Sequence, residues 1–210
     1  MRILNLLLNY RDALSEAEIQ LSKGGSVVFP TDTVYGLAAK LANPEAVDRL
    51  YEIKGREQLK AIAVLIGNME QLFEVAAWFP HSAQILVEQF WPGALTVVVQ
   101  KKAAINQRIS VDETIGVRIP DYEFVRELCL RSGPLAVTSA NISGQSSATN
   151  LGMVLEQLSG KVDLIIDGGE TRGGVASTVL DCTNENIKLL REGAISRGLI
   201  EGFLGHPIKD

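Results

Sequence analysis

The sequence predicts an α/β fold built on a mixed sheet. Three observations carry that expectation. Short apolar runs of strand length recur along the chain, as at residues 26–30 (SVVFP), 61–66 and 95–99. Longer stretches with spaced apolar positions lie between them, opened by Ser-x-x-Glu or Asn-Pro and closed by glycine. In places one strand follows another with no helix between, as at 178–180 and 187–190, which a strictly alternating parallel sheet does not produce.

Taken in order, residues 3–8 form an apolar run broken by Asn5, too short for a signal-peptide core and without a small-residue cleavage site. Ser15-x-x-Glu18 is a capping-box pattern that opens a first helix, and Gly24-Gly25 stops it. A buried strand follows at 26–30. Asn43-Pro44 opens a second helix, with Val47, Leu50 and Ile53 on its apolar face and Gly55 at its end. Residues 61–66 read as a strand, 69–78 and 82–90 as helices, 95–99 and 115–119 as strands, and 122–131 as a helix. Strands are expected at 135–138, 162–166, 178–180 and 187–190, with helices at 151–158 and 195–203. No repeat, low-complexity tract or linker interrupts the chain, so one domain over residues 1–210 is expected, with its core at about 15–204.

The charge balance, 20 basic against 25 acidic residues, argues against strong non-specific binding to nucleic acid. Cys129 and Cys182 stand far apart, and His81 and His206 have no metal-motif neighbours, so neither a disulfide framework nor a structural zinc site is expected. No run reaches membrane-spanning length. The reading is a soluble, cytoplasmic protein.

Nucleotide signatures of the usual kinds are absent: there is neither a G-x-x-x-x-G-K-[ST] loop nor a G-x-G-x-x-G turn after a strand, and residues 168–174 (GGETRGG) fit neither. Polar groups instead gather at the ends of predicted strands. Pro30-Thr31-Asp32-Thr33-Val34-Tyr35-Gly36-Leu37 places two hydroxyls, a carboxylate and a phenol in one turn, which residue types alone fit to a capped turn as well as to a site. Lys54-Gly55-Arg56, with Lys60 beyond, either complements a helix dipole or clamps phosphates. Thr138-Ser139-Ala140-Asn141-Ile142-Ser143-Gly144, continuing to Ser146, Ser147 and Thr149, is an ordinary polar turn or a cradle for a phosphate or ribose. Alternation in residues 115–119 sets Arg118 on the face opposite Ile115, Val117 and Ile119, so it needs a partner or a solvated cleft; Arg191 ends a later strand.

The joint order of these segments resembles the YrdC family. Its pattern runs through residues 30–37, Lys54-Gly55-Arg56, Phe90-Trp91-Pro92-Gly93, Leu95-Thr96 and Gly116-Val117-Arg118-Ile119-Pro120. It continues through residues 138–144, Ser177-Thr178-Val179 and Leu190-Arg191-Glu192-Gly193-Ala194. The resemblance implies a YrdC-like twisted mixed sheet with a concave ligand groove, in a short single-domain form. It implies an L-threonylcarbamoyladenylate synthase, a nucleotidyltransferase that condenses L-threonine, bicarbonate and ATP with release of pyrophosphate. The product would feed threonylcarbamoyladenosine formation beside the tRNA anticodon. Mg²⁺ would accompany ATP, with no protein side chain assigned to it. Partners would include a downstream TsaD-like threonylcarbamoyl transferase complex and a weak tRNA or RNA contact, but no membrane.

By the same resemblance Lys54 and Arg56 are the catalytic cations. Arg56, Lys60, Thr114, Ser139, Asn141, Ser147 and Arg191 would bind ATP, and Thr33, Arg118, Val137 and Ser177 would bind threonine. The chain departs from the pattern at Glu57 and Glu192, where proline is frequent, at Leu65, where long-form relatives often carry histidine, and at Ala176, where glutamate is common. Two other readings fit parts of the pattern: an RNA-binding module, and carbamoyl-adenylate chemistry drawing on carbamoyl phosphate.

Overall fold

A computed structural model describes residues 1–55, 61–110 and 112–209. Along the chain come β1 (Arg2–Asn5), α1 (Tyr10–Ser22), β2 (Val27–Phe29), β3 (Gly36–Lys40), α2 (Pro44–Lys54), β4 (Ala63–Leu65), α3 (Met69–Val75) and α4 (His81–Phe90). Then follow β5 (Leu95–Gln100), β6 (Thr114–Arg118), α5 (Glu123–Ser132), β7 (Leu135–Ser139), α6 (Leu151–Leu158), β8 (Leu164–Asp167), β9 (Thr178–Asp181), β10 (Lys188–Arg191) and α7 (Arg197–Leu204). The strands form one sheet in the order β1-β8-β2-β3-β7-β4-β6-β5-β9-β10. Parallel pairs (β1 with β8, β8 with β2, β4 with β6, β5 with β9) and antiparallel ones share the sheet, so the expected mixed sheet is what forms.

Period-two alternation divides the core between the faces of this sheet. Val27, Phe29, Leu135, Leu164 and Ile166 pack on one side with Ala13, Leu14, Ala17 and Leu21 of α1 and Phe124, Val125, Leu128 and Cys129 of α5. Val28, Val64, Val97, Val117, Ala136 and Ile165 point to the other side, against Val47 and Leu50 of α2, Leu72 of α3, Leu86 of α4, Val154 of α6 and Ile200 of α7. Among the described residues, α1 and α5 are the helices that cover the first face. Where they stop, the sheet lies open.

Several elements differ from expectation for local reasons. Helix α1 begins at Tyr10, not at the Ser15 capping box, because the apolar stripe through Ala13 and Leu14 extends it backwards and leaves Ser15 exposed in mid-helix. Strand β1 at the N-terminal edge escapes a reading by periodicity, since it has no buried face and is a strand through its parallel pairing with β8. Strand β3 has the sequence GLAAK, poor in β-branched residues, and is held by antiparallel partners on both sides. Helix α3 stops at Val75, short of Trp78, because Ala76 makes a bridge to Lys101. Helix α2 follows its signals: Asn43 Oδ1 accepts from the Ala46 backbone N–H at 3.1 Å, Pro44 opens the first turn, and Gly55 closes the helix at φ 58°. No described helix is long and apolar enough to cross a membrane.

Candidate active site

The open half of the sheet face is a cleft. Its floor comes from alternate residues of adjacent strands: Gly36 of β3, Val137 and Ser139 of β7, Ala63 and Leu65 of β4, Arg118 of β6 and Thr96 beside it on β5. Register explains the assembly, because Gly36 pairs with Ser139, Ala63 with Val137, and Leu65 with Arg118. Under α1 and α5 the same face carries Phe29 and Leu135; in the cleft, Leu65 and Val137 apart, it carries small or polar side chains. Thr31, Thr33, Val34, Tyr35 and Ser147 form one wall, and Ala176, Ser177 and Arg191 form the other. The cavity measures about 210 Å³. A cavity of 650 Å³ beside Phe73, Phe79 and Trp91 is larger but mostly apolar, and the cationic side chains do not converge there.

Arg118 anchors the centre. Its side chain is 7% exposed, and it donates from Nε to the Gly93 carbonyl at 2.8 Å, from Nη1 to Thr33 Oγ1 at 3.0 Å and from Nη2 to Asp32 Oδ1 at 2.5 Å. Burial pulls its pKa below the usual guanidinium range and nearby Arg191 adds to this, while the Asp32 carboxylate opposes both. The group remains charged. The sequence expectation is a partner or a solvated cleft, and this arginine has both.

Thr33 passes the interaction on. Its hydroxyl lies 2.9 Å from Thr31 Oγ1, which donates to the Val34 carbonyl at 2.7 Å, so the chain of donors runs from Arg118 through both threonines into the backbone. Tyr35 donates to the Gly169 carbonyl at 2.7 Å and accepts from the Gly168 N–H; burial pushes its phenol up to about 12, which keeps the donor proton in place. This pins residues 168–174 against the turn at 31–35, where the Gly174 N–H also donates to the Thr33 carbonyl at 2.9 Å.

On the opposite wall Arg191 donates to the Ser177 carbonyl at 2.8 Å, and Ser177 Oγ lies 2.8 Å from Thr96 Oγ1. A Cβ at Gly193 would fall 2.3 Å from the Ala176 carbonyl oxygen, so glycine permits the close crossing that sets Arg191 against Ser177. Among the described residues the cleft carries the guanidinium groups of Arg118 and Arg191, with the Asp32 carboxylate behind Arg118. Among its described lining residues there is no histidine, cysteine, lysine or carboxylate.

Seven of the expected site residues meet here: Thr33, Arg118, Val137, Ser139, Ser147, Ser177 and Arg191. Lys54 and Asn141 act from beneath. Lys54 is 1% exposed; its ammonium donates to the Ser139 carbonyl and, at 2.7 Å, to the Asn141 carbonyl, while Asn141 Nδ2 donates to the carbonyls of Ile142 and Gln145 at 2.8 and 2.9 Å. Lys54, expected from its motif as a catalytic cation, does not line the cleft; its ammonium lies beneath it and braces the loop that leaves β7 through the carbonyls of Ser139 and Asn141 and the Asn141 side-chain oxygen. Thr114 is not brought to the cleft. It starts β6 at the end opposite Arg118 and donates from its hydroxyl to Asp112 Oδ1 at 2.6 Å, an interaction that holds the Asp112 carboxyl below its usual range. Arg56, Lys60 and Glu57 lie outside the described residues. Of the departures from the family pattern, Leu65 and Ala176 line the cleft, and Glu192 accepts from the Arg197 backbone N–H at 2.9 Å.

Thr96 belongs to the family pattern but was not expected as a site residue, and neither was the apolar floor residue Ala63. The signal for Thr96 was present in residues 95–99, where alternation sets it opposite Leu95, Val97 and Val99 on a face that would otherwise be apolar.

The family model Sua5_yciO_yrdC, described as telomere recombination, matches residues 20–193. The chain belongs to the Sua5/YciO/YrdC family. A threonylcarbamoyl-AMP synthase of Pyrococcus abyssi (strain GE5 / Orsay) is 39% identical over 215 residues, covering 97% of this chain and 63% of its own. One from Bacillus subtilis (strain 168) is 40% identical over 195 residues, covering 91% and 56%. The crystal structure of P. abyssi Sua5 complexed with L-threonine superposes with a TM-score of 0.94 at 37% identity, over 100% of this chain and 63% of that one. The chain therefore spans between half and two-thirds of the length of these Sua5/YciO/YrdC relatives.

Proposed function

We propose that the cleft condenses L-threonine, bicarbonate and ATP into L-threonylcarbamoyl-AMP with release of pyrophosphate. The observation that carries this reading is the convergence of Arg118 and Arg191 in a cleft with no described general base. The threonine amine and bicarbonate give a carbamate with loss of water, and a carbamate oxygen displaces pyrophosphate at the α-phosphorus. Nucleophile and electrophile are both anionic, so the site must neutralise charge and align groups more than it must remove a proton. Two fixed guanidiniums suit that task, and each charge-assisted hydrogen bond to an anion contributes about 1.5–3 kcal/mol.

In this assignment Thr33, Arg118, Val137 and Ser177 hold threonine or its carbamate, and Ser139, Ser147 and Arg191 hold ATP. Arg56 and Lys60 would add phosphate contacts, and Lys54 and Asn141 hold the Ser139 loop in shape. The named activity of the P. abyssi and B. subtilis relatives supports the reaction, and the L-threonine complex of P. abyssi Sua5 supports the amino-acid half. Mg²⁺ would accompany ATP, carried on its phosphate oxygens and water. That ion would supply charge neutralisation at the leaving pyrophosphate. The product would pass to a threonylcarbamoyl transferase acting on tRNA in the cytoplasm.

Omitting each substrate in turn tests the proposal. Pyrophosphate release is expected to require threonine and bicarbonate together, with the adenylate visible by mass spectrometry. Release driven by carbamoyl phosphate alone, or unaffected by withdrawing threonine, overturns it.

A further inference from the structure

Asp32 is the carboxylate paired with Arg118 among the described residues, yet it does not line the cleft. It faces a neighbouring cavity beside Tyr122 and Thr171, on the far side of the Arg118 guanidinium. We infer that Asp32 is a positioning residue that determines affinity for the carboxylate of the amino-acid substrate by fixing Arg118. The inference rests on the proposed assignment of Arg118 to threonine.

The donor inventory leads to it. An arginine has five N–H donors, and three of those on Arg118 are committed, to Gly93, Thr33 and Asp32. Each of the three partners takes a different nitrogen, so the guanidinium plane is held at three corners. The remaining Nη1 and Nη2 donors are available to a planar anion, for which a fixed fork is the preferred match. Gly93 and Thr33 supply neutral acceptors. Only Asp32 supplies charge, and its side chain is 14% exposed, so the pair is scarcely screened by solvent. Without that carboxylate the buried guanidinium would face Arg191 uncompensated and would be drawn out of its plane towards water.

Two physical effects then predict opposite signs. If Asp32 acted only as a negative charge near an anion site, removing it would tighten binding of a carboxylate. If it positions Arg118, removing it weakens that binding.

Calorimetric titration of L-threonine into the full chain separates the two. Asp32→Asn is expected to weaken threonine binding by about tenfold or more, as loss of a charge-assisted contact would, while ATP affinity changes by less than about twofold, since its proposed contacts lie elsewhere. Asp32→Glu is expected to restore most of the threonine affinity. In an Arg118→Lys background, which lacks the fork, Asp32→Asn is expected to have no further effect. If Asp32→Asn does not fold, as judged by its melting transition, Asp32→Ser takes its place with the same expectation. Unchanged or tighter threonine binding overturns the inference, as does an equal loss in the Arg118→Lys background. A wild type that binds threonine without turning it over removes the proposed reaction and leaves these titrations to decide the pair; a wild type that binds no threonine overturns both.

Discussion

At the scale of single residues, the polar side chains near the cleft divide into those that face a ligand and those that hold the others still. Arg118, Thr33 and Ser177 face the opening, whereas Lys54 spends its charge on the carbonyls of Ser139 and Asn141. A buried ammonium satisfied in this way is a structural cation, and its removal leaves oxygens without donors. Lys54→Met, close in length and apolar, is therefore expected to destabilise the protein by about 1–3 kcal/mol in urea unfolding. Turnover should fall through a raised KM for ATP, because Ser139 and Ser147 flank the loop that Lys54 braces. An unchanged urea midpoint would mean that the loop keeps its shape without this cation.

At the scale of elements, the placing of Lys54 depends on how α2 begins and ends. Asn43 caps the helix, Pro44 shapes its first turn, and Gly55 in the left-handed region turns the chain away directly after Lys54. Asn43→Ala leaves the Ala46 N–H without its acceptor, and is expected to cost about 1 kcal/mol in denaturant unfolding with little change in threonine affinity. A loss of threonine affinity matching the loss of stability would instead tie the cap to the site. The helices α1 and α5 work differently. They cover one half of a sheet face, and the cleft exists because no described helix covers the rest.

At the scale of the whole molecule, distant segments are joined by a few polar ties across the sheet. Asp163, just before β8, accepts from the Ser26 N–H at 2.8 Å and pairs both oxygens with the Arg49 guanidinium of α2 at 2.7 and 3.1 Å. Burial alone would raise the Asp163 carboxyl, but the donors from Ser26 and Arg49 outweigh it and hold the group below its usual range. A carboxyl with a depressed folded pKa contributes stability that is present above its unfolded pKa and is lost as pH falls through the folded one. Asp163→Asn is thus expected to lower the Tm at pH 7, and its deficit relative to wild type should shrink once the pH falls below about 4, the ordinary aspartate range. A deficit that stays constant down to pH 2 would assign the loss to packing and not to charge.

What the sequence determined by itself was local. The Asn43-Pro44 start and Gly55 end of α2, the bounds of α6 and the alternation of β5 and β6 were legible, because caps, glycine turns and two-residue periodicity act within a few residues. So was the membership of most of the site, through motifs that lie in order along the chain. The tertiary structure alone decided which of those residues meet. Pairing places Arg118 beside Leu65 and Gly36 beside Ser139, partners distant in sequence, and it forms β1 and β3 from segments with weak strand signals of their own. It also turned Lys54 inward as a brace, left Thr114 at the far end of β6, and set Asp32 behind Arg118. The physical reason is that a side chain's role depends on which acceptors stand within about 3 Å of it, and those are fixed by sheet register and by which faces the helices leave uncovered.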